Sequence, residues 1–99
     1  MGEQTILKNK DQTKLKKPKM FRVILLNDDY TTMDFVVEVL VTVFHKNPIE
    51  STKIMLEVHE EGKGIVGIYT FDIARTKIAQ VEEMAREREF PLRSIMEEE

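Results

Sequence analysis

Val23-Ile24-Leu25-Leu26-Asn27-Asp28-Asp29-Tyr30-Thr31-Thr32-Met33-Asp34-Phe35-Val36 changes periodicity partway along. From Phe21 to Leu26 the residues are apolar apart from Arg22, with Phe21, Val23 and Leu25 on alternate positions. That pattern predicts a strand buried on at least one face. Asn27 to Thr31 are residues that favour turns and caps, so the strand stops there. A helix is predicted to start near Thr31 or Thr32, with Asp34 in its first turn complementing the helix dipole. Phe35, Val36, Val39, Leu40, Val43 and Phe44 then recur at steps of three and four, the spacing of one helical face.

Downstream, Asn47-Pro48-Ile49-Glu50 predicts a second helix, running to about His59. Asn47 suits the N-cap, Pro48 the first helical position, and Glu50 a capping-box-like spacing. Gly62 and Gly64 bracket a predicted turn, and Ile65–Tyr69 reads as a strand. Thr70 is the expected cap of a third helix, with Phe71, Ala74, Ile78, Val81 and Ala85 as its apolar stripe. After Pro91, Leu92–Met96 reads as a last short strand. The order β-α-α-β-α-β predicts a two-layer α+β domain, a three-stranded antiparallel sheet covered on one face by three helices.

Upstream the composition shifts. Residues 1–20 hold six lysines against Glu3 and Asp11, a net of +4, while the other 79 residues hold 9 basic and 16 acidic groups, a net of −7. Residues 1–19 have only Met1, Ile6, Leu7 and Leu15 as sizeable aliphatics, too few to offset the entropy of ordering the backbone. The expected organisation is a flexible N-terminal extension over 1–19 and a folded domain over 20–99. Within 99 residues there is room for one domain. The chain is 41 % hydrophobic and 33 % charged and has no cysteine, which excludes a disulfide framework, cysteine-ligated zinc and thiol chemistry. No apolar run approaches the ~18 residues of a membrane span, and no secretory signal is evident. A soluble, cytoplasmic protein is expected.

Enzymatic motifs are scarce. Ser51 and Ser94 are the only serines, and neither sits in a nucleophile-elbow motif. The glycines lack the spacing of a phosphate loop. His45 and His59 are the only histidines and fall on different predicted elements, so no metal site and no cofactor is expected. Asp28 and Asp29 stand where strand gives way to helix. Capping and solvating that turn is one role for them; a hydrolase built on Asp28, Asp29 and His59 would need further acidic residues and a metal. Met33, Val36 and Leu40 share one side of the first helix, and Met55, Val58 and His59 share one side of the second. Were the helices to pack antiparallel, these faces would meet near Asn27 and Asp28 as a short apolar slot with a polar lip. Ordinary core packing is the competing reading of the same spacing.

The stretch Val23–Val36 resembles the V-I-L-x-N-D-D-Y-T-P-M-E-F-V signature of the ClpS family, adaptors of the bacterial Clp protease. The resemblance continues through Met55-Leu56-Glu57-Val58-His59, Glu61-Gly62-Lys63-Gly64, Thr76-Lys77, Ala85-Arg86-Glu87 and Pro91-Leu92, and covers about residues 20–96. It implies a protein without catalysis that recognises N-degron (N-end rule) substrates, whose first residue is Phe, Tyr, Trp or Leu, and delivers them to the unfoldase ClpA, or a ClpC-type relative, for proteolysis. By the same resemblance, Asn27, Asp28 and His59 grip the free α-amine. Thr31, Met33, Val36, Met55 and Val58 line the apolar pocket, with Met33 as a gate against β-branched residues, and Asp29 supports the loop. Asp72, Thr76 and Lys77 correspond to the surface that docks on the unfoldase's N-terminal domain, and the extension to a segment engaged during delivery. Thr32 replaces the usual proline, leaving the free loop more freedom.

An α-ammonium has three donors and no acceptor, so a lip of amide oxygen, carboxylate and unprotonated imidazole suits it. A small nucleic-acid-binding module using the basic arm is the alternative, but the folded part is acidic and shows no aromatic platform on its strands. Neither nucleic acid nor membrane is expected as a partner.

Overall fold

The computed structural model describes residues 17–99. The expected extension therefore lies mostly outside the described residues, as do its lysines up to Lys16. The elements follow in the order β1 (Met20–Leu26), α1 (Met33–Thr42), α2 (Pro48–Glu61), β2 (Lys63–Thr70), α3 (Phe71–Arg88) and β3 (Arg93–Glu98). The sheet runs β2-β1-β3 with both pairings antiparallel, so β1 is its central strand. This is the α+β architecture expected from the pattern.

Strand β1 turns Val23 and Leu25, both fully buried, into the core beneath the helices. There they join Phe35, Val36, Val39 and Leu40 of α1, Ile54, Met55 and Val58 of α2, and Ala74, Val81 and Ala85 of α3. Alternation sends Ile24 to the opposite side. A register shift between Val23 and Ile24 leaves Val66 as an extra residue on β2, and Val66 is buried in the same core. Helix α1 is bound to α3 at two points, its middle and its C-terminal end. The Lys77 ammonium donates to the Val43 carbonyl at 2.9 Å, and the Arg88 guanidinium meets the Glu38 carboxylate at 2.6 Å.

The caps reflect local chemistry. Thr32 Oγ1 accepts from the Phe35 amide at 3.1 Å, and Asn47 Oδ1 from the Glu50 amide at 2.7 Å, with Pro48 opening α2. Three details depart from expectation. Helix α2 continues to Glu61, and the Gly62–Gly64 turn shrinks to Gly62 alone, because its φ of 91° reverses the chain in one residue. Thr70 precedes α3 without a side-chain cap bond; it is paired with Met20 in the sheet, and the helix starts directly off the strand. Phe71 remains 46 % exposed, its ring meeting Phe21 edge-on at 5.5 Å instead of entering the core.

The tight turn at Gly62 holds α2 against the sheet. Asn27 donates its backbone N–H to the Gly62 carbonyl at 2.9 Å, which ties the end of β1 to the end of α2. Gly64 allows the sheet to close on α2, since a Cβ there would stand 2.8 Å from Val58 Cγ2. Any side chain at position 64 would push Val58 or the strand away.

Candidate functional site

Asn27, Asp28, Asp29, Thr31, Met33, Val36, Met55, Val58 and His59 line a single recess of about 250 Å³. It lies between the first turn of α1, the C-terminal half of α2 and the loop that leaves β1. Apart from Leu40, which is fully buried in the core and does not reach the recess, the residues that the sequence suggested for a slot and its lip are thus together. The recess is graded from wet to dry: Asn27, Asp29 and His59 are exposed, Asp28 and Thr31 half-buried, and Val36, Met55 and Val58 buried. Met33, the first residue of α1, is 43 % exposed at the mouth.

Asp28 organises the loop. Its Oδ1 accepts the backbone N–H groups of Tyr30 at 2.8 Å and Thr31 at 2.7 Å, while Oδ2 accepts the Thr31 hydroxyl at 2.7 Å. Burial pushes the carboxyl up, but the bonds from Thr31 and Tyr30 outweigh it and hold Asp28 below the usual carboxylate value. A carboxylate has about four acceptor sites. Three are used within the loop, so Oδ2 keeps one for an outside donor. Neither the Asn27 amide nor the His59 ring is hydrogen-bonded to another side chain or backbone group among the described residues. The lip therefore offers unused acceptors above a dry floor, a complement to a cation that carries an apolar group. No cluster of three or more His, Asp, Glu or Cys suited to a metal occurs among the described residues.

Of the three residues assigned to a docking surface, Asp72 and Thr76 are exposed on the first turns of α3. Lys77 is half-buried, engaged with the Val43 carbonyl and lying 5.8 Å from the ring centres of Phe44 and Tyr69. Its charge already closes the C-terminal end of α1.

Other hollows escape the sequence reading, two of them beside the recess. Behind the lip, Leu26, Pro91 and Arg93 share a hollow of about 210 Å³ with Asn27 and Asp28. A larger open groove, about 730 Å³, has Ile24, Leu56 and Ile65 among its lining, with Arg22, Lys53, Lys63, Glu57, Glu60, Glu61 and Glu97 around them.

A small α+β domain with a graded recess has the architecture of a binding protein. The family model for the ATP-dependent Clp protease adaptor protein ClpS matches residues 16–95, and the chain belongs to that family. An ATP-dependent Clp protease adapter protein ClpS from Acetivibrio thermocellus is 66 % identical over 99 residues, with the whole of both chains covered. The adapter of that name from Syntrophus aciditrophicus is 54 % identical over 104 residues, covering 98 % of this chain and 97 % of the relative. Among solved structures, Agrobacterium tumefaciens ClpS2 bound to L-phenylalaninamide superposes with a TM-score of 0.81 at 37 % identity, over 84 % of this chain and all of the other. The protein is accordingly an adaptor of the Clp protease and not an enzyme. No helix among the described residues is long and apolar enough to cross a membrane.

Proposed function

We propose that the recess captures the first residue of N-degron substrates and that the adaptor hands them to the ClpA/ClpP protease in the cytoplasm. The observation that carries this reading is the juxtaposition of unused acceptors on Asn27, Asp28 and His59 with the buried floor of Val36, Met55 and Val58. Phenylalaninamide, the ligand of the Agrobacterium relative, pairs a free α-amine with a benzyl side chain and has the chemistry such a recess requires.

Energetics assign the two halves different tasks. Burying an aromatic or leucine side chain contributes roughly 1.5–3 kcal/mol. Even a millimolar complex needs about 4 kcal/mol, and ordering the peptide costs more. Charge-assisted bonds to the amine must supply the remainder. A blocked or internal amine leaves the acceptors unpaired and forfeits them. Side-chain size selects among first residues; the lip selects the end of the chain.

Delivery uses other surfaces. Asp72 and Thr76 form the exposed part of the proposed contact with the N-terminal domain of ClpA, or of a ClpC-type unfoldase, and Lys77 shapes it from beneath. The 1–19 extension is proposed to engage the unfoldase while substrate passes. Peptides differing only in their first residue test substrate capture by fluorescence anisotropy. Phe, Tyr, Trp and Leu should bind, and Ile, Val and Asp should bind at least tenfold more weakly; equal affinity across the series would exclude the proposal.

A further inference from the structure

The hollow behind the lip shares Asn27 and Asp28 with the recess, two of the three residues that hold the amine on the proposed function. The larger groove beside Ile24 shares no residue with the recess. At about 210 Å³ the hollow is close in size to the recess, which is about 250 Å³. The rest of its lining is Leu26, Pro91 and Arg93. Arg93 stands opposite Leu26 in the pairing of β1 with β3, and residues paired in this way share one face of a sheet. Leu25 enters the core, so alternation sends Leu26 and Arg93 to the face without helices.

Arg93 is exposed, and its guanidinium has no hydrogen bond or ion pair to another group among the described residues. A permanent cation with unused N–H donors therefore borders the hollow. Asp28 is the one acidic residue of the lining, and its carboxylate is taken up by three loop bonds and, on the proposed function, the amine. Apolar surface on Leu26 and Pro91 beside a cation suits a side chain with a methylene stem and an accepting tip. Glutamate and glutamine have that form. A polypeptide whose amine sits on Asn27 and Asp28 has its second Cα about 3.8 Å from its first. The second residue thus lies within one residue's length of the groups that the two hollows share.

We infer that this hollow is a subsite for the second residue of the captured polypeptide, with Arg93 as the specificity-determining residue that favours glutamate or glutamine over lysine there. The inference rests on the proposed capture of N-terminal residues and extends it by one position. A second-position glutamate lays its stem on Leu26 and Pro91 and accepts from the guanidinium. Glutamine accepts without the charge and gains less. Lysine brings a like charge and no acceptor.

The test measures affinities of peptides that begin Phe-Glu, Phe-Gln, Phe-Ala and Phe-Lys, otherwise identical, for the full chain and for Arg93→Gln. The unsubstituted protein should bind the Glu peptide about fivefold more tightly than the Lys peptide, the size of one exposed ion pair. Arg93 is exposed and makes no side-chain bond, so its variants should fold. Arg93→Gln should remove most of the Glu:Lys preference and leave Phe-Ala affinity within about twofold. Arg93→Lys, which keeps the charge but not the planar fork, should retain part of it, and Arg93→Glu should reverse it. Glutamate moved to the fourth position of the peptide controls for the overall field of the protein and should not respond to the substitutions. Equal Glu and Lys affinities in the unsubstituted protein, a ratio unmoved by the substitutions, or the same response from the fourth position overturns the subsite. If no Phe-initiated peptide binds the unsubstituted protein, capture itself fails and the subsite with it, a result distinct from uniform binding across second residues.

Discussion

The recess at the end of β1 and the groove beside Ile24 lie on either side of the same helix, and the larger has the wetter apolar lining. The groove is about 730 Å³ against about 250 Å³, but both signs of charge surround it and its apolar floor is partly wet, with Leu56 40 % and Ile65 51 % exposed. The recess has a dry floor and a lip that accepts hydrogen bonds. A volume edged by mobile lysines and glutamates imposes no orientation on a ligand, because surface ion pairs contribute little and rearrange freely. A small volume in which backbone bonds fix the Asp28 carboxylate imposes one. On the proposed function, selectivity resides in that geometry.

Substitutions can break this contrast or sharpen it. The largest effect should come from Asp28→Ala, which removes both the loop's organiser and the remaining acceptor site on Oδ2. Binding of a Phe-initiated peptide should drop about 10- to 100-fold, with roughly 1–2 kcal/mol lost from stability in denaturant titration. Asp28→Asn separates the two roles, since its amide oxygen can still accept from Tyr30 and Thr31. Stability should recover most of the way while affinity stays low. Recovery of affinity as well would mean that the charge is irrelevant to the lip.

Next in size is Met33→Ala. Truncating the exposed side chain at the mouth should raise Ile- and Val-initiated affinity about tenfold relative to Phe. An unchanged selectivity profile from the peptide series would show that Met33 is no gate.

Acidification tests the loop through Asp28. The Asp28 carboxyl is lowered in the folded state, so its contribution to stability is fully present above the unfolded value, roughly 3.9, and is lost as pH falls through the still lower folded value. Asp28 therefore stays ionised from pH 8 to 5. Substitution tests the other side of the lip: His59→Ala, which removes an acceptor, should lower Phe-peptide affinity several-fold, and His59→Gln, still able to accept, should recover part of the loss. Equal affinity in both variants and the unsubstituted protein would remove His59 from the lip. The smallest effect belongs to the groove. Leu56→Ser should leave Phe-peptide affinity within about twofold, and a larger loss would join the two hollows into one site.

The sequence displayed the recess well because its parts are local signals. Asn47-Pro48 starts α2 and the Thr32 hydroxyl starts α1, each through bonds to residues three positions away. Helical spacing then sets Met33 with Val36, and Met55 with Val58 and His59. The closure that joins them was less visible: the bond from Asn27 to Gly62 and the fit of Gly64 against Val58 depend on residues far apart in the chain. The same applies to Phe71, which fits the helical stripe by spacing yet stays half-exposed beside Phe21. Nothing near Lys77 in the chain shows that its ammonium is engaged, because its partner, the Val43 carbonyl at 2.9 Å, is 34 positions away. The groove beside Ile24 is assembled from three elements, and no single stretch of sequence describes it.

The most direct measurement titrates the protein with one Phe-initiated peptide in two forms, identical except that one has its terminal amine acetylated. The free-amine form should bind at least 30-fold more tightly, about 2 kcal/mol, as expected when charge-assisted bonds to the lip are lost. Equal affinity for the two forms would show that the recess holds only a greasy side chain and that Asn27, Asp28 and His59 do not read the start of a polypeptide.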